Sequence, residues 1–325
     1  MDWISSRAAG AIWPSAPMPS GPKQEGDWLD RAIAALAAFA LLVAAAPVLM
    51  TTPDDDASAR RAASTIETSA RQAPETIVAG YGGVTVTHPS DVRFVKPGQT
   101  DLTVHGVNWD GRPFKSPIYY GLRAIRWPAQ SRFGGMVDFT HAKTISQREQ
   151  SVRFSGTRNG RPADATARIG DTFRHLEFSH GHNMLTLNGL IRLGQLAPRV
   201  QPYVGGGLGV SLPHTEVQFL DEASRTYEYQ ATGAVVQVLG GIELRLARAS
   251  VFVEYKFSFA PYTVPLTGLD GSKGNAFIDY AGQIGRWWRG EAPLSGLLTT
   301  RLASHHVIAG VGARVTGAVP AAPER

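Results

Sequence analysis

Residues 182–213, HNMLTLNGLIRLGQLAPRVQPYVGGGLGVSLP, hold two alternating runs joined by the short turn QLAP, and their reading decides the fold. In the first run Leu185, Leu187, Gly189, Ile191 and Leu193 fall on one side, with Thr186, Asn188 and Arg192 on the other. Successive side chains of a strand point to opposite faces, so the run is a strand with one apolar and one polar face. The same texture recurs eight times after Pro74: Thr76–Thr87, Pro117–Trp127, Arg132–Thr144, His182–Gly194, Arg199–Pro213, Gly233–Leu246, Ser250–Pro261 and Leu302–Val315. All of these runs exceed ten residues, whereas strands of soluble domains run to about 5–6.

The connections alternate. Residues 88–116, 145–181, 214–232 and 262–301 are long, while those at 128–131, 195–198 and 247–249 are short. An even number of long strands with short turns at one end and long loops at the other predicts an all-β fold: an eight-stranded antiparallel transmembrane β-barrel over 76–315. Eight strands leave a bore that side chains fill, which excludes a porin. The polar faces would bring Arg123, Asp138, Arg192, Glu243, Arg245, Glu254, Lys256 and Arg314 into that bore as a plug of both signs. Glycines repeat along the strands, and GGGLG at 205–209 reads as barrel curvature, since no lysine or helix follows to make a phosphate loop. Aromatics near strand ends (Tyr119, Tyr120, Trp127, Phe133, Tyr203, Tyr255, Tyr262, Trp287 and Trp288) are expected to form an interfacial belt.

Upstream, residues 1–31 form a Pro-rich leader expected to be disordered, and AIAALAAFALLVAAAPVLM at 32–50 is free of charge. That stretch reads as an export signal, with Ala57-Ser58-Ala59 as a small-residue cleavage pattern, or as an uncleaved membrane anchor followed by Asp54–Asp56. Residues 51–75 read as a linker and 316–325 as a disordered tail. The absence of Cys excludes disulfides, thiolate zinc sites, a Cys nucleophile and a lipidated cysteine anchor. The net charge of +5 is spread along the chain without a basic run, which argues against nucleic acid as a partner.

All nine histidines map to the long-loop end, together with Glu177, Glu216 and Glu228. Imidazoles and carboxylates without thiolates suit a divalent metal or acid–base chemistry. The spacing of His180 and His182 is that of two ligands on one side of a strand, and His214 and Glu216 repeat it on the next strand. The competing reading is that these side chains only solvate the rim. In RWWRGE at 286–291, Arg286, Trp287, Trp288 and Arg289 would suit a phosphorylated, acylated saccharide at the outer leaflet.

The stretches HLEFSHGHNMLTLNGLIRL (175–193), PYVGGGLGVSLPHTEV (202–217), TYEYQATGAVVQVLGGIELRL (226–246) and FVEYKFSF (252–259) resemble the outer-membrane lipid A oxidase proteins of rhizobia and their relatives. Part of that likeness is shared with small structural barrels of the OmpA and OmpX type. The resemblance implies outer-membrane localisation and oxidation of the proximal glucosamine of lipid A to 2-aminogluconate by dioxygen. Residue type and spacing, apart from the resemblance, suggest that a divalent metal would be held by His180, His182, His214 and Glu216, with His175 or Glu228 as proton acceptor. The partners expected are lipid A and outer-membrane lipid, with the chain acting as a monomer. The alternative function is a non-enzymatic structural or adhesive barrel.

Overall fold

The computed structural model describes residues 73–316; the leader, the apolar segment, nearly all of the linker and the tail beyond Thr316 lie outside the described residues. The strands, in chain order, are β1 (Glu75–Lys96), β2 (Thr100–Asp110), β3 (Tyr120–Trp127), β4 (Phe133–Ser146), β5 (Ser151–Arg158), β6 (Arg161–Pro162), β7 (Ala165–Arg168), β8 (Phe173–Arg192), β9 (Val200–Ser211), β10 (His214–Phe219), β11 (Thr226–Tyr229), β12 (Gly233–Arg245), β13 (Ala249–Pro265) and β14 (Leu297–Thr316). One α-helix, α1 (Ala276–Trp288), lies between β13 and β14.

Eight of these strands close a ring. β1 pairs with β3, β3 with β4, β4 with β8, β8 with β9, β9 with β12, β12 with β13, β13 with β14, and β14 with β1, every pair antiparallel. These are the eight runs expected from the sequence. Alternation sets what each face carries. Leu122, Val137, Leu187, Leu208, Val238 and Val311 stand exposed on the outside. Inside, Arg123 donates to both oxygens of Glu254 at 2.8 and 2.9 Å and to Asp138 Oδ1 at 3.1 Å, while Lys256 Nζ donates to Asp138 Oδ2 at 2.9 Å. Tyr81 joins the same network through Asp138 at 2.9 Å. Towards the short-turn end, Glu75 and Glu243 are shared among Arg192, Arg245 and Arg314. These buried charges offset one another in pairs, although Arg192 Nε and Arg245 Nε have no hydrogen-bond partner among the described residues. The bore is also crowded. A methyl group on Gly121 would lie 1.9 Å from Tyr81 Cζ, so the ring of Tyr81 occupies the space a side chain on β3 would need.

The aromatic belt expected from the sequence is met in part. Tyr120, Phe133 and Tyr255 face outward, but Tyr119, Trp127, Tyr203 and Tyr262 are buried. All four turn inward: Tyr203 donates to Glu254 at 2.8 Å, Tyr119, just before β3, pairs with His306 at 3.1 Å, Tyr262 bonds His182, and Trp127 lies under the Arg192 guanidinium.

At the long-connection end the expected loops are structured. The second half of β1 pairs with β2, β2 with β5, and β5 with β6 and β7; the first half of β8 pairs with β10, and β10 with β11. Together they form a crown continuous with the barrel wall. Its core includes Phe94, Trp109, Phe173, Phe178, Phe219 and Tyr262, with the Phe94 and Phe173 rings stacked at 5.1 Å. The sequence reading stopped short of the crown for a physical reason. The β1–β14 register shifts between Thr87 and Val92, and the β4–β8 register shifts between Ala142 and Thr144, so the period-2 pattern is interrupted and then resumes.

Candidate functional site

β10 is the element that assembles the cluster. It pairs with the first half of β8, placing Glu216 opposite Glu177 and Gln218 opposite His175, and with β11, placing His214 opposite Tyr229 and Glu216 opposite Tyr227. Directly opposed residues in an antiparallel ladder share a face. His175, Glu177, His214, Glu216, Tyr227 and Tyr229 are therefore on one face of the crown sheet. Leu176, Val217 and Phe219 occupy the other, against the crown core.

On the first face, one imidazole and two carboxylates converge: donor atoms of His175, Glu177 and Glu216 all lie within 4.8 Å of one another. His175 Nδ1 is 2.9 Å from Glu177 Oε1 and 3.4 Å from Glu216 Oε1. Glu216 Oε2 accepts from Ser179 Oγ at 3.2 Å and lies 4.0 Å from His180 Nδ1. The rings of His214 and Tyr227 meet edge-on at 4.3 Å, and His180 lies 4.9 Å from His214. His214 is buried, with Nδ1 unpartnered among the described residues. Burial, reinforced by the positive potential of His180, pulls its pKa down to about 4, so its imidazole is neutral at pH 7. A guanidinium closes the cluster: Arg225 Nη1 is 3.2 Å from Glu216 Oε1 and its Nε is 2.6 Å from Asp270 Oδ1. The hydrogen bond between them raises the Arg225 pKa and lowers that of Asp270.

The structure regroups the residues expected from the sequence. His175, His180, His214 and Glu216 are together, but His182 is not with them. Gly181 has φ +139°, a backbone that L side chains rarely adopt, and β8 carries extra residues there relative to β4. This bulge separates the two histidines, which the plain alternation had placed on one side. His180 remains exposed, whereas His182 is buried and bonded to Tyr262. Glu228 is also apart. It lies opposite Thr215, on the core face of the hairpin, and Thr267, Gln230 and Arg286 donate to its Oε1 at 2.8, 3.0 and 3.1 Å. Glu177 was noted in the sequence without a role. Arg225, Asp270 and the two tyrosines gave no signal, because only the hairpin register and the β13–β14 connection bring them in.

The RWWRGE segment is likewise re-sorted. Arg286 serves Glu228 and Arg289 pairs with Glu291, so both cations have carboxylate partners. Helix α1 lies along the outer edge of β11 and satisfies its backbone. Asp279 Oδ2 accepts from Tyr229 N at 2.9 Å, and Gln283 accepts from Ala231 N at 2.8 Å while donating to Ala231 O at 3.0 Å. Asp279, Gln283 and Arg286 share one face through their i, i+4 and i, i+3 spacing, so the opposite face is turned outward. That face is apolar, with Phe277 86% and Trp288 87% exposed and Ile284 beside them.

No protein-family model matches the chain, and no curated protein matches it in sequence. Among solved structures it is similar to Neisserial surface protein A, with 9% identity and a TM-score of 0.32 over 75% of this chain and 99% of that one. It is also similar to the outer membrane protease OmpT of Escherichia coli, with 11% identity and a TM-score of 0.35 over 74% and 96%. At that distance neither bears on activity. The closed strand ring, apolar outside and charged within, is itself the construction of an outer-membrane barrel.

Proposed function

We propose that the chain is an outer-membrane barrel enzyme that oxidises the proximal glucosamine of lipid A to 2-aminogluconate with dioxygen. The observation that carries this reading is the convergence of His175, Glu177 and Glu216 on the outer face of the crown, with His180 and His214 beside them. One imidazole and two carboxylates without a thiolate are a donor set for a divalent metal of the class that accepts nitrogen and oxygen ligands. A metal bound there would supply dioxygen activation. The remaining chemistry belongs to the chain. His175, first expected as a base, stands within the donor group, so proton acceptance from the anomeric hydroxyl falls to exposed His180, whose Nε2 is 3.5 Å from the Tyr227 hydroxyl. Neutral His214 adds no positive charge against which a cation would have to bind. Arg225 must leave Glu216 for a metal to enter, and Asp270 keeps it near.

The balance requires a free anomeric hydroxyl. Loss of the C1 hydrogen and the hydroxyl proton, with two electrons, gives the lactone and reduces dioxygen to hydrogen peroxide; water then opens the lactone to the acid. Mass spectrometry of lipid A from cells with and without the chain tests this: the expected product is heavier by one oxygen atom. A second reading, a structural or adhesive barrel, draws on Arg225, which already supplies a positive charge beside Glu216. Unchanged lipid A in both strains would favour it.

A further inference from the structure

Between α1 and the barrel wall runs a lateral groove of about 600 Å³, lined mainly by apolar atoms, among them those of Val210, Thr263, Pro265, Trp287, Pro293 and Leu297. That is within the roughly 300–1,000 Å³ of ligand pockets. Val210 belongs to the outward face of β9, in line with exposed Leu208, and its partner in the register is Ala234, two residues from exposed Val236. The groove thus continues the lipid-facing wall upward under the helix. The helix turns its polar residues to β11 and its apolar face outward, which in water would leave Phe277, Ile284 and Trp288 exposed. A helix of this kind lies at a membrane interface. The short turns of such barrels are periplasmic, so the helix sits at the outer leaflet.

We propose that this groove binds one acyl chain of an outer-leaflet lipid A molecule, and that the site recognises the chain and not the phosphate. Arg286 and Glu291 also line the groove, but Arg286 is held by Glu228 and Glu291 by Arg289, so RWWRGE offers it no free guanidinium. The proposal rests on the membrane reading of the barrel and not on its oxidase activity.

Native mass spectrometry of the full chain, extracted from outer membranes in mild detergent, tests it. The wild type should retain one lipid A per barrel. Val210→Trp, which fills the groove from the wall, should retain at least tenfold less, and Val236→Trp on the open wall should retain as much as the wild type. Lipid A lacking its phosphates should be retained equally. Retention of phospholipid in its place, no retained lipid, equal retention by Val210→Trp, or loss with the phosphate-free lipid would each overturn the proposal. Should Val210→Trp fail to assemble, benzoylphenylalanine in place of Thr263 should photo-crosslink to lipid A in intact membranes, and the absence of that adduct would overturn it. The readout needs no turnover: a barrel that holds lipid A without oxidising it sinks only the oxidase reading, and an active barrel that holds none sinks only the groove.

Discussion

Arg286 of α1 and Glu228 of β11 are partners, with Nη2 3.1 Å from Oε1 and 3.3 Å from Oε2. From the sequence the first is expected to meet a phosphorylated saccharide and the second is one of two candidate proton acceptors; the fold uses them to fasten the helix to the hairpin. Replacing Arg286 with Ala leaves a buried carboxylate short of a donor, at a cost of about 1–3 kcal/mol. Hydrogen exchange should show α1 and β11 losing protection together, and Arg286→Ala with Glu228→Ala should cost less than the sum of the two single changes. Additive costs would deny the pairing.

The interior charges should behave as a set. Lys256→Met leaves Asp138 and Glu254 with Arg123 as their one shared cation, an uncompensated buried charge, and should destabilise the barrel by about 3–5 kcal/mol, measured by urea unfolding in detergent micelles. Changing Asp138 and Lys256 together to apolar residues of similar size should recover most of that loss. A Lys256→Met variant as stable as the wild type would mean that the network contributes little.

Gly121→Val places a side chain where the Tyr81 ring sits. It should prevent assembly of the heat-modifiable barrel, and Gly121→Val with Tyr81→Ala should regain part of it. No regain in the double variant would place the requirement for glycine elsewhere.

The crown should loosen in acid. The pKa of His214 lies near 4 in the fold against 6.5 for the free side chain. The unfolded segment therefore binds the extra proton, and stability present above pH 6.5 is lost as pH falls towards about 4. The loss is on the order of 3 kcal/mol. Protection of residues 214–229 in hydrogen exchange should fall between pH 7 and pH 5, and His214→Gln should flatten the dependence. An unaltered profile in that variant would assign the effect to another group.

Metal binding should follow the regrouped cluster. Manganese titration monitored by electron paramagnetic resonance should show binding lost in His175→Ala and Glu216→Ala and retained in Glu228→Gln and His182→Gln. A chelator should stop turnover. Equal binding by all four variants would place any metal elsewhere.

The barrel was legible in the sequence because one physical rule, alternation between lipid and bore, acts along each strand. Arg123, Asp138, Glu254 and Lys256 could be placed in the bore from parity alone. The site was only half legible. His214 and Glu216 kept their register, but the bulge at Gly181 sends His180 and His182 to different environments, and no local pattern announces it. Glu228 lies at the expected end but on the core face, because the parity of β11 relative to β10 depends on the hairpin's pairing, which spacing along the chain does not fix.

The way α1 covers β11 bears on self-association. An uncovered strand edge offers its N–H and C=O groups to any other strand, including the same edge of a second copy. Here Asp279 and Gln283 occupy the groups at Tyr229 and Ala231. Deleting residues 276–288 would expose a template for edge-to-edge pairing while leaving the closed barrel ring intact. The consequence is a change in oligomeric state: such a chain should run as a larger species than the parent, joined through backbone at the crown and indifferent to the lipid around its wall.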